Sequence, residues 1–145
     1  MRQKSFKKLL TWQQAMRLIE VVYRFTAAFP ADERSGLTTT LRRIASAIPA
    51  AIATAYGYND TGKLCDTLIA AMGSLRELQS YMAIARRMGY GSFWRSYGLT
   101  RRIVKLEALF DATVIELQDR MQTRADEAAA DADTAQRSAT LAKAA

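Results

Sequence analysis

The sequence contains no histidine and a single cysteine among its 145 residues. Histidine is the side chain most often used for proton transfer and metal ligation near neutral pH, so its absence argues against both kinds of chemistry. One cysteine excludes an intrachain disulfide, and without a histidine to activate the thiol we interpret Cys65 as a packing residue. We therefore predict no catalytic residue, no metal site and no cofactor.

Proline, glycine and long apolar runs are also scarce. Two prolines and seven glycines are too few for a turn-rich all-β chain. No stretch reaches the roughly 18 apolar residues that a membrane-spanning helix needs, and the basic N-terminus is not followed by the apolar region of a signal peptide. We expect a cytoplasmic protein without a membrane partner.

Positive charge is what the sequence has in excess. Residues 1–124 hold 19 Lys or Arg and 10 Asp or Glu, a net charge of +9, whereas residues 125–145 hold 2 and 4, a net charge of −2. Half of the residues are hydrophobic, which is enough for the single core that a chain of this length can build. The surplus of cations predicts an anionic partner.

Apolar residues recur every three or four positions in four stretches, which is helical spacing. After a basic arm at residues 1–8, the predicted helices span residues 9–28, 35–56, 61–88 and 93–121. Their short connections predict an all-α, antiparallel, up-down-up-down four-helix bundle over residues 9–122. The alanine-rich segment 123–145 has no apolar face, and we predict either a mobile tail or a helical extension of the fourth helix.

The first and third helices each carry two apolar rows. In the first helix we assign to the core the row Leu9, Trp12, Met16, Ile19 and Tyr23. The rows that begin at Leu37, Leu64 and Leu99 are assigned to the core in the other helices. One helical neighbour covers one row, so the second rows predict contact with another copy of the chain. The predicted interface residues are Leu18, Val22, Phe25, Tyr81, Ile84 and Met88.

Six basic side chains are candidates for contacts with phosphates: Arg42, Arg43, Arg87, Arg101, Arg102 and Lys105. Most of them fall on helix faces that point away from the predicted core. The alternative is an ordinary solvated surface whose charges only aid solubility. Phosphate contacts without base recognition would give an affinity that falls steeply with salt and changes little with sequence.

Aromatic residues cluster at the third turn, near Arg87 and Arg95: Tyr90, Phe93, Trp94 and Tyr97. Aromatic rings beside cations can stack on unpaired bases. Aromatic residues at the start of a helix more often fill the end of a bundle or a subunit interface, and we favour that interpretation.

Several segments, in this order along the chain, resemble a known family. They are residues 12–16 (WQQAM), 22–26 (VYRFT), 29–37 (FPADERSGL), 41–45 (LRRIA), 48–53 (IPAAIA), 73–78 (GSLREL) and 88–90 (MGY). The set resembles the small four-helix-bundle proteins encoded within intervening sequences of large-subunit ribosomal RNA genes. Related proteins are the accessory variability proteins of diversity-generating retroelements.

This resemblance implies a bundle that assembles as a cyclic homo-oligomer, with a pentamer favoured. It also implies a basic surface that contacts nucleic acid or, in the retroelement branch, a reverse transcriptase, and it implies no enzymatic activity. The sequence departs from the family in one motif. Where the family has serine, asparagine, glutamate and glycine, this chain has Ala47, Ala51, Thr54 and Ala55.

The leading hypothesis is a non-enzymatic oligomeric bundle whose basic surface binds nucleic acid, RNA before DNA, or a nucleoprotein partner such as a reverse transcriptase. The alternative is a protein–protein assembly or adaptor module whose positive charge is incidental, which the doubled apolar rows favour. A third hypothesis is a small-molecule regulator with a closed apolar pocket near Pro49 and Gly73.

Overall fold

The computed structural model describes residues 5–145, which form four α-helices and two short 3-10 helices and contain no β-strand. The α-helices are α1 (Leu10–Thr26), α2 (Leu37–Gly57), α3 (Thr61–Arg87) and α4 (Phe93–Ala144). The predicted all-α class with four helices is thereby confirmed. Residues 1–4 of the predicted basic arm lie outside the described residues, and the arm ends in a 3-10 turn at Phe6–Lys8.

The four helices pack as a bundle around one apolar core. Helix α1 packs directly on α2 and α4, and α3 packs on the same two helices, whereas no Cα atoms of α1 and α3 approach within 8 Å in the described chain. Helices α1 and α3 therefore stand at diagonal corners of the bundle. The short connections make successive helices antiparallel.

The core of α1 differs from the prediction. The buried residues are Thr11, Ala15, Leu18, Val22, Phe25 and Thr26. They include three residues of the second apolar row, so the assignment of Leu18, Val22 and Phe25 to a subunit interface is wrong. These three side chains are at most 1% exposed within a single chain and have no surface left for another copy. Small side chains at Thr11 and Ala15 let α1 approach its neighbours closely, while the bulkier row lies on the adjoining face.

The predicted core rows of the other helices are largely confirmed. Leu41, Ile44 and Ile48 are buried on α2, as are Leu68 on α3 and Ile103 on α4. Helix α2 continues through Pro49 without a break, and that proline is itself buried. The thiol of Cys65 is buried in the same core, which agrees with its interpretation as a packing residue.

The turn between α3 and α4 is fixed by backbone hydrogen bonds typical of a Schellman motif. The amide of Gly89, whose φ is +77°, donates to the carbonyl of Arg86, and the amide of Tyr90 donates to Ala85. The Tyr90 ring packs 5.7 Å from Phe29. Burial and the nearby Glu33 carboxylate, which accepts a hydrogen bond from the hydroxyl, raise the pKa of Tyr90.

Gly91 lies against the core ring of Phe25, and we expect alanine to be poorly tolerated there. Its φ is +78°, and an added Cβ would lie 2.6 Å from Cε2 of Phe25. A left-handed backbone costs a non-glycine residue about 1–2 kcal/mol, and overpacking a core costs about 1–3 kcal/mol more. The free energy of unfolding, measured with urea, should therefore fall by about 2–5 kcal/mol in Gly91→Ala.

Gly89 provides the matched control for this substitution. Its φ is nearly the same, but an added Cβ would meet nothing within 4 Å. Gly89→Ala should cost only the backbone term, about 1–2 kcal/mol. Equal losses of unfolding free energy in the two variants would contradict the close contact between Gly91 and Phe25.

Helix α4 extends far beyond the bundle. It is 52 residues long, or about 78 Å at 1.5 Å per residue. Its last buried residue is Val114, Leu117 and Met121 are half-buried, and every residue from Gln122 onward is exposed. The sequence predicts segment 123–145 to be either a mobile tail or a helical extension of the fourth helix. In the structure it is a helical extension of α4.

Candidate nucleic-acid interface

A groove runs along the bundle where α1 and α4 pack antiparallel. Two neighbouring cavities form it, with volumes of about 490 and 370 Å³. Both cavities are lined by Gly98 and Arg102 on α4. The first continues toward Leu10 and Gln14 near the start of α1, and the second reaches the last turns of the same helix. The groove therefore follows α1 over most of its length.

Five cationic side chains line this groove: Arg24 on α1, and Arg95, Arg101, Arg102 and Lys105 on α4. We refer to them together as the basic groove. Across residues 5–145, no acidic side chain lines either cavity, and none of the five cations forms an ion pair. Positive charges that are concentrated in a cleft without compensating carboxylates attract anions.

Hydrogen bonding ties the two walls of the basic groove together at one end. Nη1 of Arg95 donates to the carbonyl oxygen of Arg24 at 2.9 Å. This carbonyl belongs to the last turn of α1, where backbone oxygens lack an intrahelical donor and favour a nearby cation. The contact fixes α4 against α1 across 71 residues of sequence and holds the Arg95 guanidinium at the groove.

The structure brings together three of the six predicted phosphate contacts. Arg101, Arg102 and Lys105 lie in the basic groove, whereas Arg43 and Arg87 are exposed on α2 and α3 and line neither of its cavities. The six side chains therefore do not line one groove, and their contacts with phosphates stay a prediction. Two groove cations, Arg24 and Arg95, were missed because sequence spacing does not show which residues of α1 and α4 face each other.

Arg42 has a structural role within the chain. Its Nε donates to Oγ1 of Thr26 at 2.9 Å, and its guanidinium lies 4.3 Å from the centre of the Tyr23 ring. Both contacts join α2 to α1. The charge of Arg42 is thereby held against the bundle and away from the basic groove.

The aromatic cluster separates into two parts. Tyr90 packs against the core, but Phe93, Trp94 and Tyr97 are 56%, 76% and 52% exposed. These three rings point out of the chain and do not fill the end of the bundle, and the alternative that they lie at a subunit interface stays a prediction. Arg86 lies over the Phe93 ring, 5.1 Å from its centre.

The predicted interface residues on α3 remain at the surface. Ile84 and Met88 are 47% and 58% exposed, and Tyr81 is half-buried. On α1, the row first assigned to the core leaves Met16 and Tyr23 exposed. Exposed apolar side chains therefore occur on the diagonal helices α1 and α3 as well as on α4.

The region predicted for a small-molecule pocket offers little support for one. Gly73 is exposed, and a Cβ added there would meet nothing within 4 Å, so no helix packs closely over it. Pro49 is buried on α2 and lines neither cavity of the basic groove.

The described part of the chain has neither a metal-binding cluster nor a membrane-spanning helix. Residues 5–145 contain no group of three or more His, Cys, Asp or Glu side chains arranged to hold a metal ion. Over the same residues, no helix combines the length and the apolar character that crossing a membrane requires.

Comparison with known proteins identifies the family. No curated protein matches the chain. The family model described as 23S rRNA-intervening sequence protein matches residues 7–112, well over half of the sequence. This match confirms the resemblance inferred from the segments between residues 12 and 90. The chain therefore belongs to the 23S rRNA-intervening sequence protein family.

Proposed function

We propose that the protein is a non-enzymatic, oligomeric bundle that binds RNA through phosphate contacts along the basic groove. The observation that carries this proposal is the set of five cations that line one groove, form no ion pair and share its walls with no acidic side chain, within residues 5–145. Four of the five are arginines, which remain charged at all physiological pH values and bind phosphate through two donors at once.

The remaining surface favours the groove as the binding site. The departures from the family motif leave Ala47, Ala51 and Thr54 exposed on α2, and these side chains carry no charge. The outer face of α2 therefore offers phosphates little beyond Arg43. The family name associates such proteins with ribosomal RNA genes, which supports RNA as the nucleic acid to test first.

The first test is the salt dependence of RNA binding. Each phosphate neutralised on a single strand contributes about −0.7 to the slope of log affinity against log salt, so five contacts predict a slope near −3.5. Affinity for a single-stranded RNA, measured by fluorescence anisotropy, should then fall about 100-fold between about 50 and 200 mM salt. Changing the base sequence should alter it little, because phosphate contacts carry no sequence information.

Two results would contradict this proposal. One is the absence of binding at the lower salt concentration. The other is an affinity that is insensitive to salt but changes strongly with base sequence, because that behaviour indicates recognition of base edges.

A second function, assembly with another protein, is favoured by the exposed apolar residues on α1 and α3. Partners recovered with the protein that remain after nuclease treatment would favour this function. Partners lost on nuclease treatment would favour RNA binding.

A further inference from the structure

We infer that Trp94 and Tyr97 form a stacking site for unpaired nucleobases at one end of the basic groove, which makes the protein selective for single-stranded over double-stranded RNA. This inference rests on the proposed function and adds a preferred RNA structure to it. Phosphate contacts alone would hold either form of RNA, whereas stacking requires bases that are free to leave a helix.

The two rings are exposed without serving the fold. Trp94 is the most exposed large hydrophobic side chain of the described residues, and neither it nor Tyr97 packs on the core. The other tryptophan, Trp12, does pack against the core. An exposed indole lacks the hydrophobic stabilisation of burial. A binding partner that covers Trp94 would supply this stabilisation.

Phe93 holds the indole in place from one side. The rings of Phe93 and Trp94 meet edge to face, with centres 5.4 Å apart. Arg86 lies over the Phe93 ring. This arrangement supports Trp94 at its base while three-quarters of the side chain stays open to solvent.

The aromatic rings share a helix face with a groove cation. Trp94, Tyr97 and Arg101 are separated by three and four residues, so they lie one above another on α4 at steps of about 5.4 Å. Arg101 is part of the basic groove. No acidic residue occurs between residues 93 and 105, so no carboxylate of this segment opposes a phosphate chain that passes the rings.

This combination fits a nucleic acid strand better than a second protein. Apolar partners would leave Arg95 and Arg101 facing an uncharged surface, which costs desolvation without a compensating anion. A single strand supplies a base for each ring and a phosphate for each cation. Duplex RNA supplies only the phosphates, because its bases are already paired and stacked.

The test compares two RNAs with the full chain. The probes are a single-stranded RNA of about 12 nucleotides and the same strand annealed to its complement. In Trp94→Ala/Tyr97→Ala, affinity for the single strand should fall about 10-fold or more, while affinity for the duplex stays within about 2-fold. The salt slope of the remaining binding should not change, because no charge is removed. Trp94→Phe should retain the single-strand preference.

A spectroscopic measurement adds a direct readout. The chain has two tryptophans, so Trp12→Phe leaves Trp94 as the only indole. Its fluorescence should be quenched by the single strand and affected much less by the duplex. Ile115→Ala, an exposed apolar side chain farther along α4 and beyond the basic groove, is the control and should leave the affinity for both RNAs unchanged.

The possible outcomes separate this inference from the proposed function. If the double variant binds both RNAs as the unaltered protein does, the stacking site is refuted and the basic groove stands. Equal loss of both RNAs, together with a smaller assembly by light scattering, would make the rings a contact between protein copies and also refute the inference. If the unaltered protein binds neither RNA at low salt, the proposed function fails and the inference fails with it.

Discussion

Replacing Arg101 and Arg102 with glutamate is expected to lower the affinity for single-stranded RNA by about 100-fold or more at low salt. Both side chains line the same cavity of the basic groove. Neither forms an ion pair, so their replacement leaves no carboxylate of the protein without its partner. The change removes two phosphate contacts and places two negative charges in their path. Fluorescence anisotropy over a salt series measures the affinity, and its slope should become less negative by about 1.4.

A double charge reversal outside the groove is the control. Arg43→Glu with Arg87→Glu lowers the net charge from +7 to +3, as the groove variant does. Both control arginines are exposed and line neither groove cavity. We expect the control to lose less than about 10-fold in affinity, through the general field alone. Equal losses in the two variants would mean that net charge, not the groove, attracts RNA.

The fold could be predicted from spacing, but the side of α1 that faces the core could not. Two rows of α1 both repeat at three and four residues, and spacing does not distinguish them. The row with Trp12, Met16 and Tyr23 is assigned to the core on its spacing alone. The structure instead buries Ala15 and Thr11, because helices approach closely where side chains are small.

Only part of the basic groove could be predicted, again because spacing along one helix does not show how two helices pack. Arg101, Arg102 and Lys105 are neighbours along one helix, so their proximity follows from the helical repeat. Arg24 and Arg95 meet only through the packing of the first helix on the last. Short connections determine the relative position of successive helices, but α1 and α4 are joined by no connection that would set their register.

The sequence does not decide whether α4 extends beyond Met121, because the segment lacks the apolar spacing on which helix prediction depends. No large apolar residue after Met121 continues the core row. Alanine occupies the positions that would do so: Ala125, Ala128, Ala132, Ala135, Ala139 and Ala142. Alanine has the highest intrinsic helix propensity, so the segment can remain helical without a neighbour, but it has too little apolar surface to pack on one.

Replacing Ile84 and Met88 with glutamate is expected to convert the protein from an assembly to single chains. Both side chains lie exposed on α3, and exposed apolar residues also occur on α1 at the diagonal corner. Two different patches on diagonal faces suit head-to-tail contacts, which close into a ring when the rotation allows. Light scattering should give about 81 kDa for a ring of five 16.2 kDa chains and the mass of one chain for the variant.

The same substitution on α4 distinguishes an interface from general surface hydrophobicity. Val104 and Ile115 are 54% and 52% exposed, close to the values for Ile84 and Met88. Val104→Glu/Ile115→Glu should leave the assembly intact, because the proposed ring contacts involve α1 and α3. Dissociation of this variant alone would place the interface along α4, next to the basic groove. A single chain of 16.2 kDa for the unaltered protein at micromolar concentration would refute the ring. The basic groove, which lies between α1 and α4 of one chain, would remain available to RNA in that case.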